Sequence, residues 1–170
     1  MNILDTQNTI VLSGAILTSA INIVGFVGPL LAMGITLYHL WKFPLHIFVY
    51  VCFLIVNVGI NSGLKIWIRQ ARPLGGKSIL GESYNGADEY GMPSAHAQTV
   101  FYSTVYLYFA KDSINWLFIG VCIGIITMYQ RWSYRRHTIP QLIAGMSIGS
   151  MIAYIGASAA KYWITGQHFW

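Results

Sequence analysis

Residues 46–67 read HIFVYVCFLIVNVGINSGLKIW, and this stretch decides what kind of protein the chain is. It matches the ~20 apolar residues that a helix needs to cross a bilayer. Its one lysine, Lys65, sits at the far end. Asn57 and Asn61 interrupt the run four residues apart and so share a helix face. Polar groups at that depth turn toward protein rather than lipid, which predicts hydrogen bonds from both asparagines to a neighbouring helix.

The rest of the chain reads the same way. Of its 170 residues 9% are charged, against about 25% in a soluble domain, and the mean hydropathy is +0.55. Too little polar surface exists to cover the molecule in water. The expected fold class is all-α: a single-domain, polytopic membrane helical bundle with five full spans, near 20–40, 46–67, 94–111, 114–132 and 138–161. The run from Ile10 to Trp41 is too long for one straight span, and Ser13, Gly14, Thr18, Ser19 and Asn22 thin its first half. A short interfacial or partial helix at 8–18 is therefore expected before the first span, with a bend at Gly28-Pro29. Trp41, Trp163 and Trp170 suit the headgroup level. Gly120/Gly124 and Gly145/Gly149 are small-residue pairs that let helices approach closely. Cys52 and Cys122 lie inside apolar runs, which argues against a disulfide framework or zinc site. No basic region precedes the first apolar run, which argues against a cleaved secretory signal.

Connectivity brings the polar residues together. The span ending at 67, the one beginning at 94, the one ending at 132 and the one beginning at 138 all meet one face of the membrane. Between the first two lies a 73–92 loop with five glycines, PLGGKSILGESYNGADEYGM, and loops of that length are usually functional or disordered. Lys42, Lys111 and Lys161 read as ordinary flanking charge, while the other seven bases fall in two clusters, 65–77 and 131–136, on that one face. Lys65, Arg69 and Arg72 are spaced to form one basic stripe on a helix that ends at Pro73.

Two histidines share this face. In GMPSAH (91–96), Ser94 suits a helix N-cap, and His96 falls in the first turn beside amides that favour an anion. His137 opens the last span, with Gln141 one turn below it. Arginine forks and a lysine point charge neutralise phosphoryl oxygens. One histidine can attack phosphorus while the other protonates the departing oxygen. Only Glu82, Asp88 and Glu89 lie near, without a paired-carboxylate magnesium motif, so metal-free phosphoryl chemistry with no cofactor is expected.

These motifs have a family resemblance. K-x6-R-P (Lys65 to Pro73), P-S-x-H (93–96) and R-x5-H (Arg131 to His137) resemble, in order and spacing, the three signatures of the type-2 phosphatidic acid phosphatase superfamily, over roughly residues 57–145. The resemblance implies that His137 is the nucleophile, forming a phosphohistidine, and His96 the general acid. It implies that Lys65, Arg72, Arg131 and Ser94, with the amide near Ala95, bind phosphate. The family's PSGH is PSAH here, the serine before its third-motif arginine is Gln130, and the aspartate that orients its nucleophile is Gln141. A glutamine carbonyl can accept the histidine Nδ1–H and set its tautomer. N-x-G-x-N-x3-K (57–65), GMPS-x-H-x-Q (91–98) and H-T-x-x-Q (137–141) are similar to the dolichyldiphosphatase branch, in which glutamine stands at that place.

The resemblance implies hydrolysis of a polyprenyl diphosphate to its monophosphate, at the lumenal face of the endoplasmic reticulum or another endomembrane. The partners implied are a lipid diphosphate or monophosphate and membrane lipid, with no nucleic acid. Two other readings remain: the same chemistry on phosphatidate or a sphingoid phosphate, and a catalytically silent membrane scaffold. The positive-inside rule alone would turn the basic face to the cytoplasm, but those bases are the proposed phosphate ligands. Arg69, Arg135 and Arg136 are expected to matter less than Lys65, Arg72 and Arg131.

Overall fold

A computed structural model describes residues 3–81 and 84–166, with side chains from Leu12 onward; Glu82 and Trp170 lie outside the described residues. The described residues form five α-helices: α1 (Ile3–Leu40), α2 (Pro44–Ile68), α3 (Ala95–Lys111), α4 (Ile114–Ser133) and α5 (Ile139–Thr165). A 3-10 turn, Gly86–Glu89, lies in the loop between α2 and α3. Leu12–Leu40, Pro44–Ile68, Ile114–Ser133 and Ile139–Thr165 are each long and apolar enough to cross a membrane. The chain is thus an all-α bundle of the membrane type.

The centre of the bundle is α3. At 17 residues it measures about 25 Å, short of the ~30 Å hydrocarbon core. It is the one helix of the five below the length and composition of a span, where the sequence predicted five full spans. It is buried instead: nine consecutive or near-consecutive residues from Ala97 to Leu107 are covered, by α5, α4, α1 and α2. Close approach on two sides depends on glycine. Gly120 and Gly124 of α4 face Thr104 and Phe101, and Gly145 and Gly149 of α5 lie against the α3 backbone at Ser94 and Gln98, where no Cβ fits. The two glycine pairs singled out in the sequence therefore do serve packing. At the end of α3 away from the loop, Tyr50, Tyr102 and Tyr106 fill the core. Their hydroxyls bond to Ser103 Oγ (2.8 Å), Tyr50 O (2.6 Å) and His46 O (2.9 Å).

One expectation about α1 is corrected: no separate helix spans 8–18, because α1 runs unbroken for 38 residues from Ile3 and carries Pro29 inside it. The small polar residues thin the hydrophobicity but do not break the helix; Thr18 Oγ1 bonds back to Gly14 O at 2.9 Å. Residues 12–20 are exposed, beyond the part of α1 that packs. From there Gly25, Gly28, Ala32, Thr36 and Leu40 form a buried stripe, and Gly25 and Gly28 meet Gln130 and Thr127 of α4.

The basic stripe is also corrected. Helix α2 ends at Ile68, and Arg69 takes a left-handed conformation (φ 49°) as its C-cap. Only Lys65 of the three bases is helical. Residue 72 precedes Pro73, which disfavours the α conformation there, and the chain leaves the helix before reaching it. Arg69 Nε returns to Ile66 O (3.0 Å) on the exposed side, whereas Arg72 crosses back over the loop.

Candidate active site

The four segment ends expected to converge do so. Asn61 Nδ2 donates to Gln98 Oε1 (2.7 Å), and Gln98 Nε2 donates to Asn57 O (2.8 Å) and Asn57 Oδ1 (2.9 Å). This buried ladder ties α2 to α3 one turn below Lys65 and Ser94, in the interhelical role predicted for the asparagines. Beyond α4, the chain wraps around a single carbonyl: Arg131 O accepts the N–H groups of Arg136 (2.9 Å) and His137 (3.3 Å). Arg135 supplies the left-handed residue (φ 53°) that closes this turn. The six-residue step from Arg131 to His137 thereby brings both to the same end of the bundle.

His137 is buried, and both its ring nitrogens are engaged. Nδ1 bonds to Gly91 O at 2.9 Å, and Nε2 lies 3.0 Å from Nη1 of Arg72. A carbonyl only accepts and a guanidinium only donates, so Nδ1 carries the proton and the Nε2 lone pair points at the cations. Burial first, and then the charge of Arg72, push the imidazole pKa down to about 2. The ring is neutral at physiological pH, with its nucleophilic atom defined.

Gln141 does not orient His137 directly, contrary to the sequence expectation. Its Oε1 accepts the Thr138 N–H (3.1 Å) at the start of α5, and its Nε2 donates to Gln70 Oε1 (2.9 Å) and Ala71 O (3.0 Å). A glutamine has a donor as well as an acceptor, and the loop carbonyls take the donor. Gly91 lies flat on this amide and donates its own N–H to Gln70 O at 2.8 Å. Gln141 thus clamps residues 70–71 to the helix start, and the Gly91 carbonyl stands against the imidazole. Gly91 begins the GMPSAH motif, but nothing in the sequence indicates that its carbonyl holds the histidine.

The cations gather around this histidine. Lys65 is fully buried and pairs with Asp88. Arg72 donates Nε and Nη2 to Asp88 O (3.0 and 2.9 Å) and Nη1 to Arg136 O (3.0 Å), with its guanidinium 4.0 Å from the Tyr84 ring. Arg131, also buried, bonds to Nε2 of His96 and lies over the Phe26 ring. The role of Asp88, on the 3-10 turn, was not anticipated; it was counted only among the nearby acids. Ser94 is the N-cap of α3, but its hydroxyl does not bond to the helix amides and, though fully buried, has no partner among the described residues. A buried hydroxyl of this kind is ready for an acceptor brought by a ligand. Ala95 begins α3 beside it. Gln130 turns away from the site, buried under Gly25 with its amide unbonded among the described residues.

Of the other bases, Arg69 and Arg135 are exposed, whereas Arg136 is buried, with its guanidinium 4.6 Å from the Tyr84 ring.

A membrane-type helix bundle that gathers two histidines, three cations and an uncapped helix start at one end defines a class of protein before any comparison. The comparisons agree with that class: the PAP2 superfamily pattern matches residues 45–165, and the chain belongs to that family. Among curated proteins it is 29% identical over 154 residues to Dolichyldiphosphatase 1 of Rhinolophus ferrumequinum, covering 81% of this chain and 58% of that protein. It is 26% identical over 126 residues to Lipid phosphate phosphatase gamma of Arabidopsis thaliana, covering 67% of this chain and 51% of that protein. The chain therefore spans little more than half the length of these relatives. No solved structure matches significantly.

Proposed function

We propose that the chain is a membrane-embedded lipid phosphatase that hydrolyses a polyprenyl diphosphate to the monophosphate through a phosphohistidine on His137. The observation that carries this reading is the tautomer of His137, with Nδ1–H held by Gly91 O and the Nε2 lone pair directed at Arg72. In the first step Nε2 attacks the terminal phosphorus, the bond to the bridging oxygen breaks, and His96 delivers a proton to that oxygen. In the second, water attacks the phosphorus, His96 takes its proton, and the N–P bond breaks to release phosphate. Lys65, Arg72 and Arg131 carry the charge of the equatorial oxygens. The Ser94 hydroxyl and the Ala95 amide at the start of α3 add hydrogen bonds.

In this arrangement Arg72 and Arg131 each donate to a histidine nitrogen. A phosphate would draw both guanidinium groups to itself, uncovering the Nε2 lone pair of His137 and leaving His96 able to hold its proton. The polyprenyl diphosphate reading is supported by the likeness to a dolichyldiphosphatase and by Gln141 within H-T-x-x-Q, the pattern that resembles that branch. The match to a lipid phosphate phosphatase favours a second reading, in which the same site acts on phosphatidate or another lipid monophosphate. The resemblance of its motifs to the dolichyldiphosphatase branch is what supports a place in an endomembrane with the site on the lumenal face.

The test is phosphate release in detergent with excess EDTA, offering a short-chain polyprenyl diphosphate and phosphatidate side by side to wild type and His137→Ala. Release that persists in EDTA, runs faster on the diphosphate and disappears in the variant is the expected result. Faster release from phosphatidate transfers the assignment to the second reading. Folded protein that acts on neither substrate overturns both and leaves the scaffold reading.

A further inference from the structure

We infer that a groove between α1 and α3 holds the first part of the hydrocarbon chain of the departing lipid. It has a volume of about 320 Å³, with Phe26, Val27, Pro29 and Leu30 of α1 on one wall and Ala95, His96 and Thr99 of α3 on the other. His96 is the one imidazole in this lining. The inference rests on the reading of His137 as nucleophile and His96 as acid.

Phosphoryl transfer needs the attacking and leaving atoms roughly in line. The lipid must therefore leave on the side away from His137, past the group that protonates it. The two histidines open onto separate clefts. His137 faces a larger one, about 570 Å³, lined by Leu74, Trp132, Arg135, Ile139 and Pro140 and without His96. His96 faces the α1–α3 groove, which does not include His137. In-line geometry assigns the chain to the second.

The lining suits that occupant. Its polar limit is His96, which would protonate the oxygen that leaves with the lipid, backed by Arg131 over the Phe26 ring 5.2 Å away. From Phe26 to Leu30 the α1 wall is aliphatic or aromatic and runs about one helical turn, ~5.4 Å, roughly an isoprene unit. Leu30 is 69% exposed, so the groove opens sideways where lipid would surround the helix. This wall lies outside the family match, which begins at residue 45. The rigid packing of α1 through Gly25 and Gly28 onto α4 holds it in place.

The test is photocrosslinking of full-length His137→Ala in nanodiscs, using a polyprenyl diphosphate with a diazirine on its first isoprene unit, followed by peptide mapping. Label concentrated on residues 26–30 and 95–99 supports the groove. Label on 132–140, or scattered over all helices, overturns it. Because this variant need not turn over, the outcome is read independently of hydrolysis: a labelled groove with no phosphate release by wild type would refute the phosphatase reading alone, and label elsewhere with normal release would refute the groove alone. As a second measurement, Leu30→Trp, at an exposed position that tolerates bulk, is expected to lower the ratio of kcat/KM for a long-chain diphosphate over methyl diphosphate at least tenfold. An unchanged ratio also overturns the groove.

Discussion

Replacing Gly91 with alanine adds one methyl group to the loop that holds His137, and its effect can be worked out from the contacts. A Cβ at 91 would stand 2.6 Å from both Nε2 and Oε1 of Gln141 and 2.7 Å from its Cδ. The backbone at Gly91 is not in the left-handed region, so this clash is the whole cost. The Gln141 amide is pinned by Gln70, Ala71 and Thr138. If the amide yields, three hydrogen bonds are lost at about 0.5–1.5 kcal/mol each, roughly 1.5–4.5 kcal/mol together. If the loop yields, Gly91 O moves off His137 Nδ1, and a shift of ~1 Å at a catalytic group costs about 100-fold in rate. Gly91→Ala should therefore lower kcat/KM by about 10- to 100-fold and lower the melting temperature by several degrees. In the double variant with Gln141→Ala the clash is gone, so the two losses should be clearly less than multiplicative. Phosphate release and thermal melting in one detergent measure both quantities. A Gly91→Ala protein within twofold of wild type at an unchanged melting temperature refutes the clamp, and so does a double variant showing the full product of the single losses.

The other predictions concern charge. Asp88→Asn removes the carboxylate that occupies Lys65 where an anion would bind, and should lower the concentration of orthovanadate needed for half-inhibition about 3- to 10-fold; the modest range reflects an Asp88 side chain that is 63% exposed, and an unchanged or raised value contradicts this competition between Asp88 and an anion for Lys65. His137, whose folded-state pKa is depressed from 6.5 to about 2, binds its proton in the unfolded chain first. Its stability contribution is thus complete above pH 6.5 and falls by up to about 1.4 kcal/mol per pH unit as the pH drops below that. The melting temperature of His137→Phe should accordingly decline less between pH 6.5 and 4.5 than that of wild type, and parallel declines would count against a buried neutral ring. Alanine at Lys65, Arg72 or Arg131 should abolish release, while Arg69→Ala and Arg135→Ala should stay within a few-fold of wild type. Arg136→Ala, at a buried position against Tyr84, should reveal itself in melting more than in rate, and a comparable rate loss across all six variants would undo the ranking.

What the sequence made legible was the set of constraints that act along the chain. Helix length and apolar content give α2 and α4 to within two residues at each end, whereas α5 runs four residues past the expected 161; helix spacing puts Asn57 and Asn61 on the face that meets Gln98. The three motifs fall where the segment ends converge because their order and the span connectivity leave no other side. The failures have two physical causes: a local backbone course that composition and spacing do not show, and partners distant in sequence. Composition thins at Ser13–Asn22, but the stretch holds no proline, its one glycine, Gly14, does not stop the helix, and α1 runs through. Spacing puts Lys65, Arg69 and Arg72 on one stripe, yet the left-handed Arg69 ends the helix and sends Arg72 across the loop to His137. Gln141 lies within a turn of His137, but its partners come from residues 70–71. A backbone carbonyl such as that of Gly91 leaves no residue-type signal at all.

Glutamine at 141, where the general family resemblance implies aspartate, suits this arrangement. An aspartate at 141 would bring a buried negative charge beside Gln70 and the Ala71 carbonyl, neither of which could both take it up and replace the amide donor it lost. Glutamine keeps one acceptor for the start of α5 and supplies two N–H groups for the loop. The task of holding Nδ1–H then passes to Gly91 O, which is neutral. A neutral acceptor stabilises an imidazolium less than a carboxylate does, so His137 stays a poor base and keeps its lone pair free of protons in acid as well as at neutral pH. For a nucleophile that must attack phosphorus while surrounded by Lys65, Arg72 and Arg131, staying unprotonated matters more than being strongly basic. Burial, with the charge of Arg72 beside it, keeps the proton away, and the carbonyl needs only to aim the ring.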